Sequence, residues 1–423
     1  MLKIPEDYIQ FAWKFKLYNQ ENLTCQGERI EVLDPGEQNT SSGPDFFNAR
    51  VKIGNTIWAG NVEIHNKASD WFNHEHHSDP AYDSVILHVV LYKDKDIFRM
   101  NGEEIPAIEI SLIERNIEEY RSLVMNNYKL PCIKKISRID KVFMRDWISK
   151  MMISRLQDKT ELVIKTLEKN QYDWEETFYH FLGKSFGFRI NSIPFSMLAE
   201  TVPLRILLRL RNNSFSINAI LFGQAGFLED LISGDEYYDA LRKEFKSLNS
   251  MLPQKALSAH SWQFMRSRPP NFPTVRISQF AGLIVRRFPM FADILECNEI
   301  SKLRKMFMIS TDKYWEDHML FGHITKRRKY SLGRESADII IINAIIPVLF
   351  AYAKFRMKNE VQDRIIRFLE DLPPEKNEYM NTWKNAGITP ESAFDSQALL
   401  HLSKNYCKYR RCLECVIGSR IIV

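Results

Sequence analysis

Residues 43–65 read GPDFFNARVKIGNTIWAGNVEIH and decide how the first part of the chain folds. On each side of Gly54-Asn55 the residues alternate between apolar and polar, which predicts two β-strands, at 49–53 and 57–65. A Gly-Asn pair between two such runs is typical of a tight hairpin turn. The stretch therefore predicts an antiparallel hairpin whose second strand ends on Glu63-Ile64-His65.

Further predicted elements flank this hairpin on both sides. They are an amphipathic helix at 4–18, strands at 28–33, 85–92 and 105–110, and a short helix at 79–84. From about residue 112 onward the apolar spacing becomes helical. We predict an α+β protein with two domains: a mixed α/β sheet domain at 1–112 and an all-helical domain at 113–423, in one lobe or two.

The composition is that of a folded soluble protein. The chain has 423 residues, of which 45% are hydrophobic, and only six are cysteines, too few for a disulfide-stapled secreted scaffold. The first residues contain no apolar run of signal-peptide length. The most apolar stretch, at 337–353, is too short for a membrane span and contains Asn343 and Pro347, so it predicts a buried helix. We expect a cytoplasmic protein without membrane contact.

The charge is distributed unevenly along the chain. Residues 1–110 hold 10 Lys and Arg against 18 Asp and Glu, which leaves 48 of the 58 basic and 35 of the 53 acidic residues for positions 111–423. The first part is therefore acidic and the rest is basic. A basic body favours a polyanionic partner, although a solvated Lys/Arg surface explains the same count equally well.

Acidic side chains and histidines are concentrated between Asn39 and Val90, where five of the ten histidines lie. Glu63 and His65 are two residues apart on a predicted strand, so their side chains project from the same face. The hairpin brings Asp45 to the same end. Two carboxylates there can bind Mg²⁺ or Mn²⁺, and His65 can orient a water or act as a base. The alternative is that Asp45 caps a turn and Glu63 is a surface residue.

His74 and His76 form a second candidate group close by in the sequence. Their two-residue spacing suits one face of a strand or loop, and they are candidate substrate-binding residues that can reach the same metal or a scissile phosphate. A ligand set dominated by these histidines predicts zinc, whereas the carboxylate pair predicts magnesium or manganese. His88 interrupts an apolar strand, as hydrogen-bonded core histidines often do.

Pro44-Asp45, the hairpin and Glu63-x-His65 resemble the PD-(D/E)xK nuclease motif, and the predicted order of elements resembles the core of that superfamily. The resemblance implies a PD-(D/E)xK-like sheet domain in which Asp45 and Glu63 bind the metal. His65 stands where those enzymes carry the lysine that helps to activate water. Histidine can replace this lysine, ligate the metal itself or mark a lost activity.

Nearly the whole chain resembles an uncharacterised bacterial family, domain of unknown function 2851. The segments that carry this resemblance are residues 42–46, 60–65, 69–71, 74–76, 79–82, 87–90, 222–226, 268–273 and 407–415. The family brings no established activity, so the function has to be inferred from the residues.

Cys407, Cys412 and Cys415 place three thiols within nine residues near the end of the chain. The closing Cys-x-x-Cys spacing is typical of a metal knuckle, whose fourth ligand is either His401 or Cys132. The family resemblance favours Cys132. The tail also resembles the cysteine clasp of iron–sulfur nucleases, with a different spacing, which implies zinc or an iron–sulfur cluster in a structural role. Three reduced thiols at a helix end are the alternative.

Together these features predict a metal-dependent nuclease-like protein that hydrolyses phosphodiester bonds, with DNA or RNA as its partner. Catalysis is assigned to Asp45, Glu63 and His65. Cations of the second domain are expected to bind the phosphate backbone, and the candidates are Arg266, Arg268 and Arg276. Two alternatives stay open: a nucleic-acid-binding protein whose nuclease fold has lost catalysis, and a metal hydrolase of a small substrate. The oligomeric state stays open as well.

Overall fold

The first part of the chain forms a seven-stranded mixed sheet, in agreement with its alternating pattern. The structure, a computed structural model, describes residues 4–21, 23–25, 27–229, 234–265 and 269–423. The strands of this sheet are β1 (Thr24–Cys25), β2 (Glu28–Asp34), β3 (Glu37–Gln38), β4 (Phe46–Ile53), β5 (Thr56–Lys67), β6 (Val85–Tyr92) and β7 (Ala107–Glu109).

The strand order is β1-β2-β4-β5-β6-β7, with the short β3 paired to β4. The predicted hairpin is present: β4 and β5 are antiparallel, and Ile53 pairs with Thr56 across a turn in which Gly54 has a φ of 58°. β5 and β6 are parallel, as are β6 and β7. Gly60 allows β5 and β6 to approach closely, because a Cβ at this position would lie 2.3 Å from Cγ2 of Ile86. The register places Glu63 opposite His88.

The two faces of the sheet are covered differently. On one face Val62 and Ile64 join a large apolar core that includes Ile9 and Trp13 of helix α1 (Glu6–Phe15). The intervening residues of β5 point to the opposite face because side chains alternate along a strand. There a smaller cluster forms around Trp71 of helix α2 (Asp70–Asn73). Glu63 and His65 therefore project from the sheet under a short helical cover.

The rest of the chain is largely helical. Its helices are α3 (Glu114–Val124), α4 (Lys141–Lys169), α5 (Trp174–Phe186), α6 (Ser192–Thr201), α7 (Leu204–Arg209), α8 (Ser214–Gln224), α9 (Glu236–Leu248), α10 (Pro273–Arg287), α11 (Phe291–Glu296), α12 (Ile300–Met306), α13 (Arg334–Ile340), α14 (Ile346–Phe355), α15 (Asn359–Asp371), α16 (Glu378–Asn385), α17 (Ala393–Asn405) and α18 (Val416–Ile422). Strands β8 (His318–Leu320) and β9 (His323–Ile324) form a two-stranded antiparallel sheet. The expectation of an all-helical second part is wrong on this point.

The chain divides into two compact units. The first comprises residues 1–148, 378–389 and 399–423, and the second comprises residues 149–377 and 390–398. The sheet ends close to residue 112, where the sequence pattern changes. The first unit is nevertheless larger than the sheet. It also contains helical segments, such as α3 and α18, which pack against each other.

Residues 334–355 form the described helix that is long and apolar enough to cross a membrane. It consists of α13, a π-helical stretch at Ile341–Ile345 and α14, and 78% of its most apolar window is buried inside the chain. Asn343 is accommodated because its side chain donates a hydrogen bond to the carbonyl of Ile339. The stretch is a buried core helix, as predicted, and this agrees with a soluble protein.

Candidate metal centre

Glu63, His65, His74 and His76 converge at the end of β5. Glu63 and His65 come from the buried part of β5, with 4% and 1% of their surfaces exposed. His74 is the residue that ends α2, and His76 begins a 3-10 turn at His76–Ser78. The strand thus supplies two side chains, and the loop that covers it supplies two more.

The ligand atoms of these residues are spaced as they would be around one ion. Nε2 of His65 lies 3.1 Å from Nδ1 of His74 and 3.6 Å from Oε1 of Glu63, which in turn lies 3.2 Å from Nε2 of His76. The three imidazole nitrogens all fall within 4.8 Å of one another. Four atoms that each lie about 2.1 Å from a tetrahedral zinc ion are about 3.4 Å apart. The three histidines therefore fit a metal ion, and Oε1 of Glu63 lies beside two of them.

His88, on the neighbouring strand β6, orients His65. Nδ1 of His65 lies 2.8 Å from Nε2 of His88, which is completely buried on β6. If Nε2 of His65 presents its lone pair to a metal, Nδ1 carries the proton and donates it to His88. A hydrogen bond of this kind fixes both the tautomer and the ring orientation of a metal-binding histidine.

Asp45 orients Glu63. The backbone N–H of Asp45 donates to Oε2 of Glu63 at 3.0 Å, which leaves Oε1 to face the histidines. The carboxylate of Asp45 accepts hydrogen bonds from the backbone N–H of Ile64 and the side chain of Gln10 on α1. The hairpin thus brings Asp45, Glu63 and His65 together as the sequence predicts. The closest neighbours of His65 are nevertheless histidines rather than Asp45.

Burial disfavours the charged forms of the two carboxyl groups and of the buried imidazoles. It raises the pKa of Glu63 to about 8, and burial together with the nearby charge of Glu63 raises that of Asp45 to about 7. Burial and the neighbouring histidines lower the pKa of His65 to about 2, and burial lowers that of His88 to about 3. Each shift disfavours the charged form in a site with little water. A bound cation would compensate the carboxylate charges that the fold otherwise suppresses.

The group is open on one side. His74 is exposed, while 11% of the side chain of His76 is accessible, and the ring of His76 stacks on Tyr82 at a centroid distance of 3.8 Å. Solvent therefore reaches the site from the loop and not from the sheet. An ion held by the three histidines alone would keep a coordination position free on this side, as catalytic zinc sites do.

Nothing in the sequence indicated that Gln10 and Tyr82 belong to the site. His88 was expected to be a hydrogen-bonded core residue, and it is one, but its contact with His65 was not expected. The signal for His88 was its parallel register with Glu63, which becomes visible only once β5 and β6 are paired. Gln10 lies on an amphipathic helix, where nothing in the local pattern separates it from other polar residues.

The four predicted cysteine ligands are all buried and unpaired. Cys132, Cys407, Cys412 and Cys415 belong to the first unit, and each is less than a tenth exposed. Burial is the main reason why the pKa of every one of these thiols is raised. His401, the other candidate for the fourth ligand, lies 3.1 Å from the side-chain amide of Asn405.

Of the three arginines predicted to bind phosphate, the structure describes one, and that one is buried. Arg266 and Arg268 lie outside the described residues. Arg276 is only 5% exposed, and its guanidinium donates hydrogen bonds to Gln279, Asn271 and Ser336. The structure does not support a substrate-binding role for Arg276, because phosphate binding needs an accessible cation.

Comparison with known proteins assigns the chain to a family. A family model described as "Protein of unknown function (DUF2851)" matches residues 6–378. No curated protein and no solved structure matches the chain. Because the match covers most of the sequence, the chain belongs to the DUF2851 family.

Proposed function

We propose that this protein is a metal-dependent hydrolase that cleaves phosphodiester bonds in nucleic acid. The observation that carries the proposal is the convergence of His65, His74 and His76, with Oε1 of Glu63 beside two of them, at a point that is open to solvent on one side. These residues would hold a divalent ion, and such an ion would supply a coordinated water of lowered pKa and would stabilise negative charge on a phosphoryl oxygen. The three imidazoles favour zinc over magnesium or manganese.

Three of the residues have separate roles in this proposal. Glu63 and His65 hold the cation, and this gives His65 a different role from the lysine found at the corresponding position of PD-(D/E)xK nucleases. Asp45 is the proposed proton acceptor, because the backbone N–H of Ile64 and the side chain of Gln10 hold its carboxylate beside Glu63. Its amide also keeps Glu63 in place.

The nature of the substrate rests on charge and on resemblance. The basic surplus lies in residues 111–423, and the four residues Lys326–Lys329 are exposed, as backbone-phosphate binding requires. The succession of α1, the antiparallel strands β2, β4 and β5, α2 and the parallel strand β6 follows the element order of PD-(D/E)xK nucleases. Both points support nucleic acid as the substrate.

The acidic balance of residues 1–110 favours a second candidate, a metal hydrolase of a small phosphorylated compound. A negatively charged surface around the site repels a polyanion more strongly than it repels a small ester. This candidate uses the same ligands and differs only in the substrate.

The test is cleavage of single-stranded and duplex DNA and RNA by the full chain with Mg²⁺, Mn²⁺ or Zn²⁺, beside hydrolysis of bis(p-nitrophenyl) phosphate. We expect metal-dependent cleavage of nucleic acid and at least a ~100-fold loss in Glu63→Gln and His65→Ala. His77→Ala is the matched control, since His77 is exposed, adjoins His76 and packs on Phe72. Its activity should equal that of the wild type.

Each other outcome selects a different account. Hydrolysis of the small ester alone selects the second candidate. Salt-sensitive binding of nucleic acid without cleavage by any metal shows an inactive binding protein. Cleavage that survives both substitutions contradicts the proposed site.

A further inference from the structure

The four cysteines Cys132, Cys407, Cys412 and Cys415 have no part in the proposed hydrolase site. They come from two segments that lie 275 residues apart in the sequence, yet all four belong to the first compact unit. Each is buried and none forms a disulfide. Because the four buried thiols come from distant parts of the chain, their presence in one unit calls for a structural explanation.

The C-terminal tail is fixed against the segment that carries Cys132. The guanidinium of Arg410 donates hydrogen bonds to the carbonyls of Asn126, at 2.6 Å, and Tyr128, at 2.8 Å. Farther along the tail, α18 packs against both α3 and the 3-10 turn at Ile136–Arg138. These contacts hold the tail cysteines next to Cys132.

The four thiols are close enough to interact electrostatically. After burial, the next causes that raise the pKa of Cys407 are the charges of Cys132, Cys415 and Cys412. Cys415 and Cys412 act on Cys132 in the same way. Four groups that repel one another as thiolates are stable together only when they stay protonated or when they share a cationic group.

The distances between the sulfur atoms distinguish a single metal ion from a cluster of several metal atoms. Around a single tetrahedral zinc ion, thiolates that each lie about 2.3 Å from the metal are about 3.8 Å apart. Among the residues that the structure describes, no three of these cysteine sulfurs lie within 4.8 Å of one another. The group is therefore wider than one ion requires. A polynuclear cluster holds its thiolates farther apart, because each thiolate can bind a different iron atom.

The surroundings of the group offset part of the effect of burial. The backbone of Ile417 and Gly418, in the first turn of α18, acts to lower the pKa of Cys415, and Arg410 acts in the same direction on Cys407 and Cys412, although burial leaves the pKa of all three thiols raised. A Cβ at position 418 would lie 2.1 Å from the carbonyl oxygen of Cys412, so glycine lets this turn pack closely. Hydrogen bonds to sulfur and nearby cations are the usual means by which proteins stabilise cluster ligands.

We propose that Cys132, Cys407, Cys412 and Cys415 bind an iron–sulfur cluster that joins the C-terminal tail to the segment that follows α3. The cluster has a structural role and does not depend on the proposed hydrolase activity.

The test is the iron, acid-labile sulfide and zinc content of the full chain purified without oxygen, together with its visible absorption and its electron paramagnetic resonance spectrum after reduction. We expect iron and sulfide in equal amounts, about two to four of each per chain, and little zinc. One zinc per chain without iron shows a single-ion site and overturns the proposal. Neither metal, even after reconstitution with iron and sulfide, shows four reduced thiols and overturns it as well.

Variants locate the cluster. Cys132→Ser and Cys412→Ser should each lose most of the iron and sulfide, while Cys297→Ser, which removes a buried cysteine of the second unit, should keep both. The wild-type metal content does not depend on how the variants fold, and far-ultraviolet circular dichroism checks each of them. Full iron content in both cluster variants contradicts the assignment.

Discussion

At the scale of single residues, the account depends on how His65 uses its two ring nitrogens. Nε2 faces His74 and Glu63, and Nδ1 faces His88. Because burial lowers the pKa of His65, its ring is neutral at neutral pH and has one lone pair to offer. When Nε2 faces a cation, Nδ1 donates its proton to His88.

His88→Ala should therefore weaken metal binding at this centre by about 10- to 100-fold, the usual effect of losing a group that orients a metal ligand. His88→Gln should recover part of the loss, because its side-chain oxygen can accept the proton of Nδ1. Competition with a coloured chelator measures both affinities, and His77→Ala serves as the control. An affinity for His88→Ala equal to that of the wild type shows that His88 only fills the core.

The carboxyl groups predict a pH dependence of stability in the metal-free protein. Asp45 and Glu63 have folded pKa values of about 7 and 8 against ordinary values of 3.8 and 4.5. The folded state thus binds more protons than the unfolded state, and the free energy of unfolding falls as the pH rises toward 8. His65 and His88, whose pKa values are lowered, oppose this trend only below their ordinary value of 6.5.

Between pH 6.5 and 8 the free energy of unfolding should fall by about 1 to 3 kcal/mol in the presence of a chelator. Urea denaturation at the two pH values measures it, and Glu63→Gln should show a smaller fall because one of the two groups no longer titrates. A wild-type stability that is constant or rises over this range contradicts the protonated state inferred for the pair.

At the scale of secondary structure elements, the sequence predicted the main strands because each has one face in the core. β2, β4, β5 and β6 all carry the alternating or continuous apolar pattern that burial demands. The two-residue strands β1, β3 and β9 and the three-residue β8 were not predicted, since so short a run carries no period.

The part of the site that lies on the hairpin was predictable, because it follows from the same local strand pattern. Glu63 and His65 lie at alternate positions of one strand, and the hairpin turn links Asp45 to them, so local pattern alone brings these three together. His74 and His76 lie in a loop whose path depends on the packing of Trp71 and Tyr82. That path places both imidazoles over β5, and no periodicity in the sequence indicates it.

At the scale of the whole molecule, the first unit combines two groups of proposed metal ligands with different chemistry. The histidine and carboxylate group lies on the sheet and is open to solvent, whereas the cysteine group is buried and joins the tail to earlier segments. Open sites with nitrogen and oxygen ligands suit catalysis, and closed sulfur sites suit structure. The surplus of basic residues lies after residue 110, outside the strands that carry the open site.

The central claim is that Glu63, His65, His74 and His76 hold a metal ion, and anomalous X-ray diffraction from crystals of the full chain soaked in zinc tests it most directly. The account predicts one anomalous peak about 2.1 Å from Nε2 of His65, Nδ1 of His74 and Nε2 of His76, with Oε1 of Glu63 as the fourth neighbour. A map with no peak between these four side chains, at a zinc concentration that labels other sites, would contradict it.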